Sequence, residues 1–274
     1  MFTQDEKKEI INLYTQKYNS LAELGRKYNC DAGTIKRFLL SNNIHIRSRS
    51  EQTRYTNMKR KKSCDENYFS KIDSYNKAWL IGFLAADGTI RKNINEIKIG
   101  LSTTDREILE KIKEEVKIER DILDYETSNG FAVSELNWTS FQQKKDLSAY
   151  GVVNNKTYLE NHLPSFDNDN YKLAYILGYF DGDGSISLTK ENYLRFRICS
   201  YRDEILKDIK NFFEKKYNAS VVICKDNTRQ MYELSVSTKY AKNIFEDMYN
   251  LDSLRLNRKY QKYLEYKSHE TLTS

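Results

Sequence analysis

Two aspartates, Asp87 and Asp183, each follow an apolar segment of helical character and stand 96 residues apart. The first segment reads KAWLIGFLAADGTI (77–90) and the second LAYILGYFDGDGSI (173–186), matching position for position. An EF-hand loop starting at Asp181 is excluded, because its sixth residue is Ile186 rather than Gly and its twelfth is Asn192 rather than Glu. A plain Asp-Gly turn explains either copy but not the repetition. Gly82 and Ala86, and likewise Gly178 and Gly182, lie four apart on one helical face. Small residues at that spacing let two helices approach closely, because no side chain holds the backbones apart. Packed that way, the helices deliver Asp87 and Asp183 side by side at one end. Neighbouring carboxylates repel unless a cation sits between them. Oxygen ligands unsupported by Cys or His select a hard ion, Mg²⁺ or another divalent cation such as Mn²⁺.

The elements that must position this pair can be read around it. Each motif is followed by a hairpin and an alternating strand, EIKIGLS (96–102) and YLRFRICS (193–200), then by a helix through a related joint, STTDREIL (102–109) and SYRDEIL (200–206). A second strand pair follows in each half, around 120–137 and 219–237, with further helices. The pattern predicts an α+β fold of two similar αββαββα halves, 67–163 and 164–268, ahead of a short tail, 269–274. Pro164, the one proline, falls in the polar joint between the halves.

Residues 1–46 predict three short helices. Ser20-Leu-Ala-Glu23 is a capping box and Asp31 caps the third helix, giving the outline of a helix-turn-helix module. In that motif the early exposed residues of the last helix meet base edges, here Gly33, Thr34, Lys36 and Arg37. The net charge of +6 is concentrated just beyond. Between Arg47 and Lys62 stand seven basic residues, Arg47 and Arg49 among them, against one acid, leaving 38 of each sign elsewhere. Such a strip attracts polyanions. Its weak apolar periodicity predicts an extended basic linker over 47–66. Paired carboxylates, a hard metal and a basic arm together point to phosphodiester chemistry on DNA.

Other classes are excluded. Four cysteines without paired spacing give no disulfide framework or zinc knuckle, and three scattered histidines give no metal cluster. The start, MFTQDEKKEI, is too charged for a signal peptide, and the apolar run 78–86 is far short of a membrane span. A soluble intracellular protein is expected.

On the two motifs, LIGFLAADG (80–88) and ILGYFDGDG (176–184), the chain resembles the single-chain, two-motif LAGLIDADG homing endonucleases over about residues 67–266. The resemblance implies that the motif helices form the interface between the halves and that two four-stranded sheets make a saddle over the DNA major groove. It implies metal ligation by Asp87 and Asp183, with the carbonyls of Ala86 and Gly182 as further ligands. It places one catalytic lysine in each half, Lys156 and Lys259, with Arg258 and Lys262 as near alternatives. It implies a monomer that cuts both strands of a long double-stranded target. Base readout falls to exposed strand and hairpin residues, Lys98, Arg195 and Arg197 with Arg91, Lys92, Lys225, Asn227 and Arg229. Ala85 stands where the second motif has Asp181, a departure that makes the halves unequal. The alternative class is a non-cleaving binder on the same fold, an intron RNA maturase or a transcriptional regulator.

Overall fold

The computed structural model describes residues 2–60, 64–189 and 193–273, with side chains described except at 57–60 and 270–273. The chain divides into two compact units, Met1–Ser63 and Cys64–Ser274.

The small unit has helices α1 (Gln4–Thr15), α2 (Leu21–Lys27), α3 (Ala32–Ser41) and α4 (Arg49–Arg60). Ser20 and Asp31 cap α2 and α3, and Thr3 with Glu6 forms a further capping box on α1. Ile10, Tyr14, Leu24, Ile35 and Leu39 close a small core. The turn between α2 and α3 passes through Asn29 in the left-handed region, with φ of 50°. The expectation of an extended linker over 47–66 is corrected, because Arg49–Arg60 of that segment is α4. Ser48 and Glu51 supply the missed cue, a reciprocal capping box with Ser48 N–H on the Glu51 carboxylate at 2.7 Å and Glu51 N–H on Ser48 Oγ at 3.2 Å. Lys61 and Lys62 lie outside the described residues, as do the side chains of Lys59 and Arg60.

In the large unit the first half runs α5 (Tyr75–Ala86), β1 (Gly88–Ile90), β2 (Glu96–Ser102), α6 (Arg106–Glu115), β3 (Leu123–Glu126), β4 (Ala132–Thr139) and α7 (Phe141–Ser148). The second repeats it as α8 (Asp169–Asp183), β5 (Gly184–Leu188), β6 (Leu194–Ser200), α9 (Glu204–Tyr217), β7 (Val221–Asp226), β8 (Met231–Val236) and α10 (Thr238–Asn250), and α11 (Asn257–Thr273) follows. The anticipated tail from 269 is therefore the end of α11. Each half holds an antiparallel sheet of the same topology, β1-β2-β4-β3 and β5-β6-β8-β7. Alternation sorts the strands into two faces. Ile97, Ile99, Leu136 and Trp138 in one sheet, and Phe196, Ile198, Leu234 and Val236 in the other, are buried. They meet the apolar stripes of α6 (Ile108, Leu109, Ile112) and α9 (Ile205, Leu206, Ile209, Phe213) in one continuous core.

Helices α5 and α8 run through the middle of this core, and each is buried on every side along most of its length, Ala78–Ala85 and Leu173–Phe180. Their contact is backbone on backbone. A Cβ on Gly82 would lie 2.0 Å from the Tyr175 carbonyl oxygen, and one on Gly178 would lie 1.9 Å from that of Trp79. Substitution with alanine at Gly82 or Gly178 is expected to cost at least about 3 kcal/mol, because backbone rather than a flexible side chain must give way. Gly100→Ala, with its nearest neighbour atom 4.0 Å away, should change the urea midpoint little. Equal midpoints for all three variants would show that the helices tolerate separation.

Candidate metal and phosphodiester site

The close helix contact decides where the acids lie. Asp87 is the C-cap of α5, and Asp183 is the last residue of α8. A Cβ on Gly182 would stand 2.3 Å from that of Ala86 and 3.3 Å from the Asp87 carboxyl carbon. The Asp87 carboxylate thus rests against the last turn of α8, beside Asp183. Burial, and then the Asp87 charge, push the Asp183 carboxyl up to about 6, while Lys156 and Lys259 pull it back. The Asp183 side chain is nonetheless exposed to solvent; the raised value reflects the density of protein around it and the Asp87 charge. Asp87 is also raised by burial, opposed by Lys259, Lys156 and Arg258. The structure therefore brings the two acids and the two expected lysines into one electrostatic cluster.

The lysines reach matching carbonyls. Lys156 Nζ donates to the carbonyl of Gly88, and Lys259 Nζ donates to that of Gly184 at 2.6 Å. Each glycine follows the acid of its own half. Beyond this the two differ. Lys259 is only 2 % exposed and also donates to Phe180 O at 2.6 Å and Asp181 O at 2.7 Å. All three of its protons are engaged on the C-terminal carbonyls of α8, a buried cation at the negative end of a helix. Burial lowers Lys259 to about 8. Lys156 is half-buried and its pKa is lowered by burial, with Asp183 and Asp87 acting in the opposite direction.

Sequence reasoning did not assign Asp181, which is wholly buried. Its Oδ2 accepts from Trp79 Nε1 at 2.9 Å and from Leu256 N–H at 3.0 Å, joining α5, α8 and the approach to α11. The signal was visible as the Asp181–Ala85 mismatch between the motifs. Arg258, a near alternative to Lys259, is held 2.8 Å from Asp105 and so pins α11 to the first half. Lys262 is exposed on α11.

Two carboxylates, with the carbonyls at the ends of the two helices, could offer hard oxygen donors, and the negative ends of two helices favour a cation there. Among the described residues no three Asp, Glu, His or Cys side chains gather to hold a metal unaided. An ion here would keep water or phosphate oxygens as further ligands, as Mg²⁺ does. A cavity of about 120 Å³ opens beside the pair, lined by Lys156, Asn161, Asp183 and Arg202 among others. Asn161 Oδ1 is buried with no hydrogen-bond partner among the described residues.

The other expected contacts are dispersed. Arg195 is exposed on the bare face of β6. Arg197 lies 3.6 Å from Glu233, Lys98 2.5 Å from Glu135 and Arg91 2.7 Å from Glu96. Lys225 lies over the Tyr232 ring, and Arg229 is 3.8 Å from Asp226. In the small unit Lys36 and Arg37 are exposed on α3, and Thr34 bonds its cap, Asp31. Arg49 is exposed at the start of α4. Arg47 turns inward: its guanidinium lies over the Tyr14 ring at 3.9 Å and donates to the carbonyls of Tyr14 and Asn19. Among the described residues no helix is long and apolar enough to cross a membrane.

Fold and site define a two-motif protein with its acids at the helix interface. Residues 74–124 and 170–249, one segment in each half, match the family described as a LAGLIDADG-like domain. Among curated proteins, an uncharacterised protein of Methanocaldococcus jannaschii is 25 % identical over 71 % of this chain and 72 % of its own length. The DNA-directed RNA polymerase subunit Rpo1C of the same organism is 26 % identical over 65 % of this chain, which matches only 20 % of that subunit's length. Among solved structures, one of mesophilic variants of the homing endonuclease I-DmoI aligns at 12 % identity and a TM-score of 0.47, over 72 % of this chain and 97 % of that one. Full-length DUF199/WhiA from Thermatoga maritima aligns at 14 % identity and a TM-score of 0.48, over 75 % and 65 %.

Replacing Lys259 with Met leaves three carbonyls at the end of α8 without a donor. The variant should lose about 2–4 kcal/mol of stability, whereas Lys156→Met should lose no more than about 1.5 kcal/mol. Urea denaturation of both checks this, and equal losses would contradict a capping role special to Lys259.

Proposed function

We propose that the protein is a site-specific, divalent-metal-dependent DNA endonuclease of the homing type, acting as a monomer on double-stranded DNA. The observation that carries this reading is the carboxylate pair held at the fused ends of α5 and α8, with a lysine of each half beside it. Asp87 and Asp183 would hold the ion, with the Ala86 and Gly182 carbonyls as further ligands. When bound, it would supply Lewis-acid polarisation of a scissile phosphate and of water.

The rest is the work of this chain's own groups. Asp87 and Asp183 must both be ionised to act, and burial together with their mutual repulsion primes them to gain a cation. Lys156 keeps donors beyond its bond to Gly88 and can meet a phosphate oxygen as negative charge develops on it. Lys259 has its protons committed to α8, so its part is to fix the position of Asp183 and to balance the charge of the pair. The bare sheet faces supply binding in the major groove, where arginine recognises guanine.

Asp87→Asn and Asp183→Asn should leave DNA binding largely intact and abolish double-strand cleavage. A randomised plasmid library incubated with Mg²⁺ and sequenced at its cut ends provides the substrate. Full cleavage by either variant at saturating protein would overturn the metal assignment. Sequence-specific binding by the wild-type chain without cutting would move the protein to the non-cleaving class, the regulators and maturases.

The small unit is assigned to flanking DNA, through α3 and the exposed basic residues Arg49 and Arg54 of α4. If about three of its cationic groups neutralise phosphates, a fragment beginning at Cys64 should show a slope of log K against log salt lower by roughly 3. It should keep its metal requirement and lose footprint on one side only. Binding across a salt series measures both, and an unchanged slope and footprint would remove residues 1–63 from the interface.

A further inference from the structure

The two bare sheet faces hold matching positions in matching registers, yet they carry different chemistry. In the first sheet Lys98 pairs with Asn137, Gly100 with Glu135 and Leu123 with Glu135. In the second Arg197 pairs with Ser235, Cys199 with Glu233 and Cys224 with Glu233. Taken row by row, Glu96 of the first face corresponds to Arg195 of the second, Leu123 to Cys224 and Tyr125 to Asp226. Lys98 is drawn to Glu135 at 2.5 Å, and Tyr125 Oη donates to the same carboxylate at 3.1 Å. With its charge so matched, the first face offers apolar surface: Leu123 is 54 % and Tyr125 44 % exposed, and Phe131 is 68 % exposed at the β3–β4 hairpin. On the second face Arg195 is exposed and has no ion pair among the described residues, and Arg197 is 3.6 Å from Glu233.

We infer that the two halves read chemically different DNA half-sites, thymine-rich under the first sheet and guanine-rich under the second. In the major groove thymine presents a methyl group, which suits Leu123 and Tyr125, whereas guanine presents two acceptors that arginine takes together. The first strand of each sheet begins at the glycine following a motif acid, Gly88 and Gly184, so a duplex laid across the acid pair meets both sheets. The inference rests on the endonuclease reading, since it needs site-specific DNA beneath both sheets.

The test enriches bound duplexes from a randomised library on the full chain in EDTA, then remakes the enriched duplex with base analogues one half at a time. Deoxyuridine in place of thymidine removes the methyl and should weaken binding about fourfold per contacted group, in one half only. Replacing guanine with 7-deazaguanine removes an acceptor and should weaken binding about tenfold, in the other half only. Leu123→Ala should shrink the deoxyuridine penalty and spare the deazaguanine penalty, with Arg195→Ala doing the reverse. Equal responses of the two halves to both analogues would overturn the inference and leave the endonuclease reading standing. No enriched sequence at all would overturn both.

Discussion

The structure depends on a contact that excludes side chains. At Gly82 and Gly178 the backbone of each central helix occupies the space a methyl group would need, and at Gly182 the fit continues to the helix ends. This contact costs specific side-chain packing along its seam, and burial of large aromatic groups on the outer flanks offsets that cost. Its geometric result is that two chain segments 96 residues apart end at one point. The carboxylates are neighbours because the helices cannot stand apart.

Bringing like charges together inside protein needs compensation, and the two halves provide it unequally. The second half places a fully engaged lysine at the end of α8, and that lysine also faces a further buried acid, Asp181, held by Trp79 and the Leu256 backbone. The first has Ala85 at the matching place, and its lysine makes the single carbonyl bond to Gly88. Pseudo-symmetry in the fold therefore coexists with asymmetry in the site. The sheet faces diverge in the same manner, since their outward positions are free of the packing that keeps their inward positions alike.

Much of this could be read from residue order. The motif repeat located both central helices, both acids and the small residues between them, because close packing restricts residue type at fixed spacing. Strand alternation located both sheets for the same reason. The helix α4 escaped because basic residues obscured its apolar periodicity, although Ser48 and Glu51 marked its start. Arg47 showed only as a charge in the sequence; that it folds onto Tyr14 depends on a contact 33 residues away. The threefold engagement of Lys259 was equally hidden, since its partners are carbonyls, which every residue possesses.

The pinning of α11 has a consequence for the order in which the molecule is made. Both sheets and both central helices precede α11 in the chain, so a stage can exist in which the acids have met and α11 has not docked. At that stage Asp105 lacks Arg258, and the carbonyls ending α8 lack Lys259. The carboxylate pair then lacks Lys259, and Asp87 lacks Arg258 as well. Docking of α11 is therefore the step that balances the charge around the acid pair.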